Sequence, residues 1–375
     1  MKSSFVCFYQ AYPPESGAAS VTYSSAIHIG GDVTLIQLGS APRDERTAEG
    51  IRVITLPDAT ASRFQKIWGL RGRIKRIARV VAELSPAVVV LEGASWVLYH
   101  WLLLRRLRRT MPGTRVIYHS HNVEYHLRSQ KHGRLVTVVT KWAESRVLRS
   151  ADMSFAVSEV DGRQFEDLYG VRPLLWPNGV NIDQFTRVGK EGVQKARAAS
   201  CIGGQCILFM GSYAYKPNKE GIDSLVHDIM PLVVEQRPDV RLLILGGQVP
   251  YQRDWLINPG VVPFEVLPAI IKSCALGVAP IFSGSGTRLK ILEYMAAGLP
   301  CVCTKKGAEG IGVEDGVHCI VAETASEFTA GILRCLEDEA LTSSLKARAH
   351  ELVCERYSWG AIMERCREDI GRLSR

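Results

Sequence analysis

Residues 283–300 read SGSGTRLKILEYMAAGLP, a glycine-rich turn that follows a short apolar run and leads into a helical pattern. Leu289, Leu292 and Met295 recur at the spacing of one helix face, which predicts a helix over residues 289–297 with a buried side. Thr287 is expected to cap the start of this helix. Strand, glycine turn and helix in this order form the repeating unit of a parallel α/β sheet.

The same alternation of short apolar runs and amphipathic segments extends along all 375 residues. Strands are predicted at 5–9, 33–38, 53–56, 87–91, 115–118, 154–157 and 173–176, and again at 206–210, 241–245, 261–262, 276–279, 300–303 and 319–321. Helices are predicted at 64–84, 96–109 and 136–149, and again at 221–236, 289–297, 327–337, 340–354 and 362–372. This order predicts an α/β fold of two Rossmann-like, doubly wound parallel-sheet domains.

A chain of this length is expected to bury its apolar residues in two cores rather than one. The predicted domains are residues 1–182 and 205–357, joined by a polar, patternless linker at 183–204. A C-terminal helix at 358–375 can cross back to the first domain. Ligands of open parallel sheets bind beyond the carboxyl ends of the strands, so two such domains facing across a cleft would hold one substrate each.

The composition is that of a folded protein, with 46% apolar residues, 22% charged residues and a mean hydropathy of +0.03. Ten cysteines occur without a CxxC pair or a zinc-ligand spacing, which favours reduced core cysteines in the cytoplasm. The apolar run near the N-terminus is too short for a signal peptide, and no run reaches the length that spans a bilayer. We therefore expect a cytoplasmic protein whose membrane contact is peripheral, at the inner face of the membrane.

The net charge of +8 arises from the N-terminal part of the chain. Residues 52–149 hold 19 lysines and arginines against 5 aspartates and glutamates. Within them, residues 63–79 and 96–109 are basic, amphipathic and carry tryptophans, a pattern typical of binding to an anionic membrane surface. The alternative is that these helices simply pack their apolar faces on the sheet. Nucleic acid is not expected as a partner, because no recognition module occurs.

The polar residues of the 283–300 stretch suit a diphosphate. A helix start supplies backbone N–H groups and the positive end of the helix dipole, and Arg288 and Lys290 add positive charge. The Glu293 carboxylate can accept hydrogen bonds from both hydroxyls of a ribose. The alternative is an ordinary helix with a Lys290–Glu293 surface pair, which stabilises a helix by only a few tenths of a kcal/mol.

The stretch closely resembles the donor-binding motif of the retaining glycosyltransferases of family 4, also called group 1, whose fold is the two-domain GT-B arrangement. Further segments are similar to motifs of that family, in the family's order. They are 121–125 (HNVEY), 147–152 (VLRSAD), 155–159 (FAVSE), 176–185 (WPNGVNIDQF), 209–213 (FMGSY) and 217–221 (PNKEG). Their combination is far more specific than a single glycine-rich turn.

The resemblance implies roles for individual residues. Glu293 would bind the ribose of a nucleotide sugar, and Arg288 and Lys290 would act at its diphosphate as catalytic residues, together with His121 near the donor sugar. The remaining expected donor contacts are Gly17 in the first N-terminal loop, Gly211 and Ser212 after the first strand of the second domain, and Gly286 and Thr287 in the turn.

Two features depart from the family pattern. Ser285 stands where many members carry a second glutamate that contacts the sugar, and Glu309, within 307–311 (GAEGI), is the candidate replacement. The usual basic pair after the first strand of the second domain is represented only by Lys216 and Lys219.

We expect no metal and no cofactor, only a UDP- or GDP-type sugar as co-substrate. The chain has no paired aspartates of the DxD kind, and the cations and the helix N-terminus can stabilise the leaving diphosphate. Four histidines cluster at positions 119, 121, 126 and 132. Their spacing favours a hydrogen-bonding role for His121 over metal ligation.

The leading functional hypothesis is a retaining, metal-independent hexosyltransferase that builds a surface polysaccharide or glycolipid, with a glycan or lipid-linked acceptor on the basic domain. One alternative is a sugar-nucleotide epimerase or hydrolase of the same fold. Another is a non-catalytic sugar-nucleotide-binding protein, suggested by Ser285 in place of the usual glutamate.

Overall fold

The computed structural model describes residues 1–14, 16–58, 69–93, 96–199, 204–284 and 287–372. The chain divides into two compact units. Unit 1 comprises Met1–Asn178 and Ile362–Arg375, and unit 2 comprises Gly179–Ala361. Each unit contains one sheet, so the predicted α/β class with two parallel-sheet domains is confirmed.

The sheet of unit 1 has eight strands in the order β3-β4-β2-β1-β5-β6-β7-β8. They are β1 (Lys2–Val6), β2 (Asp32–Gly39), β3 (Arg43–Arg46), β4 (Arg52–Pro57), β5 (Val88–Glu92), β6 (Arg115–Ser120), β7 (Met153–Ala156) and β8 (Leu174–Leu175). All pairs are parallel except β3 with β4. Strand β3 was not predicted, because its four charged, exposed residues lack any apolar signal and form the edge of the sheet.

In the part of unit 1 that the structure describes, seven helices lie wholly or mainly within the unit. They are α1 (Gly17–His28), α2 (Leu70–Leu84), α3 (Val97–Thr110), α4 (Glu124–Lys131), α5 (Arg134–Ser150), α6 (Glu159–Tyr169) and the C-terminal α15 (Trp359–Arg372). Arg367 of α15 donates to the carbonyl of His28 at 3.3 Å, which ties the end of the chain to α1.

The sheet of unit 2 has six parallel strands in the order β11-β10-β9-β12-β13-β14. They are β9 (Cys206–Met210), β10 (Arg241–Leu245), β11 (Leu256–Gly260), β12 (Leu276–Ala279), β13 (Cys301–Cys303) and β14 (Ile320–Val321). Its helices are α7 (Asp183–Thr186), α8 (Lys190–Ala199), α9 (Lys216–Ser224), α10 (Met230–Gln236), α11 (Leu267–Ser273), α12 (Leu289–Ala296), α13 (Ala325–Glu337) and α14 (Glu339–Arg356), with a π-helical turn at Leu225–Ile229 between α9 and α10.

Two sequence-based boundaries are corrected. The strand predicted at 261–262 lies earlier, at Leu256–Gly260, where Asn258 and Pro259 interrupt the apolar run. The segment 183–204 is not patternless, because it contains α7 and α8 and belongs to unit 2. Lys272 holds the chain between these helices by donating to the carbonyls of Phe185 and Val188 at 2.9 and 3.0 Å.

The nine cysteines that the structure describes are free thiols, and eight of them are buried. This agrees with the expectation that they fill the cores. Among the described residues, none of the helices has the length and apolar character needed to cross a bilayer.

Candidate functional site

The carboxyl edge of the unit 2 sheet is shaped by Gly277 on β12. A Cβ atom at Gly277 would lie 2.3 Å from Cδ2 of Tyr294, so the missing side chain lets the Tyr294 ring pack directly against the strand. The Tyr294 hydroxyl accepts a hydrogen bond from the Met210 backbone at 3.0 Å. These contacts fix the rotation of α12 about its axis and thereby place its polar residues.

Lys290 lies in the first turn of α12 and faces β9 and the start of α9. Its Nζ atom donates to Oδ1 of Asn218 at 2.9 Å and lies 4.0 Å from the centroid of the Phe209 ring. Asn218 in turn donates to the carbonyl of Ser212 at 3.2 Å. At Gly211, where φ is +152°, a Cβ atom would lie 2.5 Å from the Asn218 amide. The structure thus brings predicted residues Lys290, Gly211 and Ser212 together around Asn218.

Glu293 follows Lys290 on α12, and its carboxylate has no hydrogen bond or ion pair within the described part of the chain. Burial raises the pKa of Glu293 to about 7, against the effect of the Lys290 charge. Burial also lowers the pKa of Lys290 to about 7, with Arg288 adding repulsion. The two side chains are therefore not the exposed ion pair of an ordinary helix. They are desolvated groups whose charges a ligand could compensate.

The turn before α12 differs from the prediction. The helix begins at Leu289 with Arg288 as its N-cap residue, in extended conformation and without a side-chain cap bond. Thr287 is therefore not the cap, and its buried hydroxyl has no hydrogen-bond partner among the described residues. Arg288 donates to the carbonyl of Ser283 at 3.2 Å. Ser285 and the predicted contact Gly286 lie outside the described residues.

Glu309 lies in a turn that packs against the end of β12. Gly307 donates to Thr304 Oγ1 at 2.9 Å, and a Cβ atom at Gly307 would lie 2.9 Å from the carbonyl oxygen of Ala279. The Glu309 carboxylate is paired with Lys306. A sugar hydroxyl at this place would have to share the carboxylate with that lysine.

Gly246 and Gly247 were not among the predicted site residues. They follow β10 with φ values of +109° and +146°. A Cβ atom at Gly246 would lie 3.0 Å from the backbone of Gly211, so two glycine loops meet at the same sheet edge. The signal was a glycine pair directly after a predicted strand. Lys216 and Lys219, the partial basic pair, form ion pairs along α9 with Glu220 at 3.6 Å and Asp223 at 2.7 Å.

The two pKa values near 7 predict how nucleotide binding depends on pH. Below about pH 7 Glu293 gains a proton and loses acceptor capacity, and above about pH 7 Lys290 loses the proton that attracts a diphosphate. We expect UDP or GDP affinity, measured by titration calorimetry between pH 5.5 and 9, to be highest near neutrality. Lys290→Met should remove the fall on the alkaline side and Glu293→Gln should flatten the acidic side. An unchanged alkaline fall in Lys290→Met would contradict the assignment.

A second polar group lies in unit 1, at the carboxyl ends of β5 and β6. Glu92 ends β5, His119 lies on β6 and His121 follows it, and all three are buried. His121 Nε2 lies 2.6 Å from Glu92 Oε2, and His119 Nδ1 lies 3.2 Å from the same oxygen. Thr22 on α1 donates to that oxygen at 3.1 Å. Glu92 is thus the centre of a hydrogen-bonded cluster, which we call the Glu92 cluster.

Both ring nitrogens of His119 lie within hydrogen-bond distance of an oxygen atom. Its Nε2 atom lies 3.0 Å from the carbonyl oxygen of Trp176, and its Nδ1 atom faces the Glu92 carboxylate. Both partners only accept hydrogen bonds, so the ring satisfies them only with a proton on each nitrogen. The Trp176 indole stacks on it with ring centroids 4.7 Å apart.

Burial and the hydrogen bonds of the Glu92 cluster act in opposite directions on the pKa values of both Glu92 and His121. Burial alone would raise the pKa of Glu92, but His119 and His121 hold it well below its usual value. Burial lowers the pKa of His121, partly opposed by its hydrogen bond to Glu92.

The ligand atoms of Glu92, His119 and His121 lie within 4.8 Å of one another, close enough to consider a metal ion. Tetrahedral bonds of about 2.0–2.1 Å would separate two ligand atoms by about 3.3 Å. The 2.6 Å contact between His121 and Glu92 is a hydrogen-bond distance instead. Of the four predicted histidines, only His119 and His121 lie together, since His126 contacts Gln164 and His132 contacts Arg128.

Gly17, the predicted contact in the first loop, is the first residue of α1 and is exposed. Ser16 caps this helix by accepting from the Ala19 backbone at 3.3 Å. Gly17 and Thr22 lie on the same helix, which connects the loop to the Glu92 cluster. Sequence reasoning did not find Glu92, although an acidic residue at the end of a predicted buried strand was a usable signal.

Two family models match the chain. The model described as Glycosyl transferases group 1 matches residues 204–338, and that described as Glycosyltransferase Family 4 matches residues 27–184. A phosphatidyl-myo-inositol mannosyltransferase of Mycobacterium leprae is 28% identical over 236 residues, which are 60% of this chain and 59% of that protein. The match therefore spans less than two thirds of the length of this curated relative.

Solved structures resemble the whole chain. Sucrose-phosphate synthase from Thermosynechococcus elongatus has a TM-score of 0.79 at 18% identity, covering 100% of this chain and 99% of that one. Anabaena HepE in complex with UDP-glucose has a TM-score of 0.74 at 16% identity, covering 99% of this chain and 100% of that one. At these identities the likeness shows the fold, which is the predicted GT-B class.

Proposed function

The chain belongs to the group 1 (family 4) glycosyltransferases, and from this premise we propose that it transfers a sugar from a nucleoside-diphosphate sugar to a glycan or lipid-linked acceptor. Its product would be a surface polysaccharide or glycolipid. The observation that carries the proposal is the Lys290–Glu293 pair on α12, two partly buried polar groups with opposite pKa shifts and no ion pair between them.

Each polar group suits one part of the donor. The Glu293 carboxylate has free acceptor positions for ribose hydroxyls, as the family resemblance implies. Lys290, Arg288 and the N-terminus of α12 offer positive charge and N–H groups to the diphosphate. The UDP-glucose named for Anabaena HepE supports a UDP-type donor, and a GDP-type donor is the alternative that a ligand panel distinguishes.

We further propose that transfer needs no metal ion and no cofactor. Negative charge develops on the leaving diphosphate as the anomeric bond breaks, and preorganised cations stabilise that charge most when they are partly desolvated, as Lys290 is. The family resemblance implies retention of the anomeric configuration, with the leaving phosphate assisting deprotonation of the acceptor. It also implies that His121 acts on the donor sugar, where its hydrogen bond to Glu92 fixes the orientation of the ring.

The acceptor side of the proposal rests on charge and on the relatives. The mannosyltransferase of Mycobacterium leprae is named for a phosphatidyl-myo-inositol acceptor, which is a membrane lipid. Unit 1 contains the basic band at residues 52–149. We propose that the protein works at the inner face of the cytoplasmic membrane as a peripheral protein and does not bind nucleic acid.

A panel of UDP- and GDP-sugars, with and without lipid extract as acceptor, tests the proposal. At about 100 times its Kd, the true donor should stabilise the protein by about 2.7 kcal/mol, which thermal shift detects. Donor consumption should then require an acceptor. Rapid epimerisation or hydrolysis of the donor alone would favour the alternative enzymes. No stabilisation of the folded protein by any nucleotide sugar would refute the proposal.

A further inference from the structure

Helix α5 exposes an apolar stripe to solvent. Leu135, Val138 and Trp142 are 78%, 58% and 46% exposed, and they follow one another at helical spacing. The opposite face of α5 is buried and contributes Ala143, Val147 and Leu148 to the core of unit 1. The exposed stripe is therefore additional to what the fold requires, and contiguous exposed apolar groups of this kind mark interaction surfaces.

Four exposed cations flank this stripe on the same helix: Arg134, Lys141, Arg146 and Arg149. Within the described part of the chain, no ion pair joins any of them to a carboxylate. Arg149 donates to the carbonyl of Tyr169, and Lys141 Nζ lies 5.0 Å from the centroid of the Tyr125 ring. The one carboxylate of α5, Glu144, is buried and accepts from the Glu124 backbone at 2.7 Å and the Tyr169 hydroxyl at 2.6 Å. The positive charge of the stripe is thus uncompensated.

A shallow concavity of about 940 Å³ lies beside the stripe. Helices α4 and α5 and the end of α6 form it, and Tyr125, His132, Lys141, Arg149, Leu168 and Tyr169 are among its lining residues. Among the residues that the structure describes, no carboxylate lines it. Its walls combine apolar and cationic groups, which suits the headgroup and glycerol region of an anionic phospholipid.

The stripe continues onto α3 through two tryptophans. The rings of Trp101 and Trp142 meet edge to face with centroids 5.9 Å apart. Arg105 lies 5.7 Å from the Trp101 ring and Arg146 lies 5.9 Å from the Trp142 ring. Tryptophan next to arginine is the combination that membrane–water interfaces favour, because the indole enters the interface while the cation meets phosphates.

Helix α2, which carries part of the basic segment at residues 63–79, differs from α5 in what its exposed face presents to solvent. Its exposed face presents Lys75, Arg76 and Arg79, whereas Ile74 and Ile77 are buried in the core. Helix α2 therefore offers charge without a large exposed apolar side chain. Residues 63–68 of that segment lie outside the described residues.

We propose that one surface of helix α5 docks the protein on an anionic phospholipid bilayer. This α5 surface consists of Leu135, Val138 and Trp142 together with Arg134, Lys141, Arg146 and Arg149. The juxtaposition of an exposed apolar stripe with four uncompensated cations carries the proposal. Nucleic acid would match the cations alone and leave Leu135 and Val138 in water. The proposal deepens the proposed function, on which it rests, by naming the surface through which a membrane-held acceptor is approached.

Co-sedimentation of the full chain with vesicles tests this assignment. Vesicles of equal parts phosphatidylglycerol and phosphatidylcholine should bind the protein, and binding should weaken as salt rises. Phosphatidylcholine alone should bind it at least about tenfold more weakly, since each cation near an anionic surface adds about a fivefold factor.

Two variants address the two halves of the surface. The apolar variant combines Leu135→Ser, Val138→Ser and Trp142→Ser, and the charge variant combines Arg134→Gln, Lys141→Gln and Arg146→Gln. Each variant should weaken vesicle binding about tenfold or more. The control for the apolar variant is Leu232→Ser with Val261→Ser, both at exposed positions in unit 2. The control for the charge variant is Lys75→Gln, Arg76→Gln and Arg79→Gln on α2. Each control should stay within about twofold of the unmodified protein.

The α5 assignment would be overturned if the unmodified protein did not bind anionic vesicles. It would also be overturned if vesicle binding fell as much in the α2 control as in the α5 charge variant, or if the apolar variant bound vesicles as well as the unmodified protein. Thermal shift with nucleotide on the same preparations separates the two proposals. Nucleotide stabilisation without vesicle binding refutes the surface alone, and vesicle binding without nucleotide stabilisation refutes the proposed function alone.

Discussion

Replacing Lys290 with alanine is expected to lower kcat/KM for sugar transfer by about a hundredfold to a thousandfold, the usual effect of removing one preorganised group that stabilises developing negative charge. Lys290 is held by Asn218 at 2.9 Å and lies over the Phe209 ring. It is thus fixed in place before the donor binds, and its partial burial strengthens its interaction with a phosphate.

Stability should respond differently from activity. Burial lowers the pKa of Lys290 to about 7, so its charged form is disfavoured in the folded protein, and Lys290→Ala should leave the melting temperature unchanged or raise it. Lys195→Ala is the matched control, because Lys195 is 76% exposed on α8 and, among the described residues, forms an ion pair only with its helix neighbour Glu191. Transfer kinetics and thermal melting of both variants provide the measurement. Full activity in Lys290→Ala would rule out the donor site described for α12.

Replacing Glu92 with alanine is expected to destabilise the protein by about 3–5 kcal/mol, as when one partner of a buried charge pair is removed. The change removes the acceptor that faces His119 Nδ1 and deprives His121 of its partner. Glu92→Gln should cost much less, because an amide can accept from His121 and donate to a neutral His119. Both should lower transfer, since His121 is no longer held in the same way.

The pH dependence of stability distinguishes this charge cluster from ordinary packing. Because the folded protein holds the pKa of Glu92 below its unfolded value of 4.5, the cluster stabilises the fold above that pH and loses its contribution as pH falls below it. Urea unfolding between pH 3 and 7 should therefore show a steeper acid loss in the unmodified protein than in Glu92→Gln. Glu83→Ala, at an exposed position on α2, is the control. Equal acid sensitivity in Glu92→Gln would contradict the ion-pair interpretation.

Much of the fold could be predicted because parallel strands buried on both faces read as short apolar runs. Strands such as β5 and β9, whose residues are all buried, lie within a residue of their predicted positions. Two strands were not predicted correctly because they lack such a run. The charged edge strand β3 and the strand β11, which contains Asn258 and Pro259, have no continuous apolar run. Thr287 was assigned as a cap from residue type alone, whereas the backbone extends one residue further before the helix begins.

The sequence by itself determined the two parallel sheets, the family and the cations near α12, because these depend on local order: strand, glycine turn, helix and the residues that follow. Only the tertiary structure decided that Glu92 meets His119 and His121, since sheet order places β5 beside β6 across an intervening helix. It alone decided that α5, rather than the more basic α2, exposes apolar side chains beside its cations. Periodicity shows that a helix has two faces, but the packing of its neighbours determines which residues remain in water.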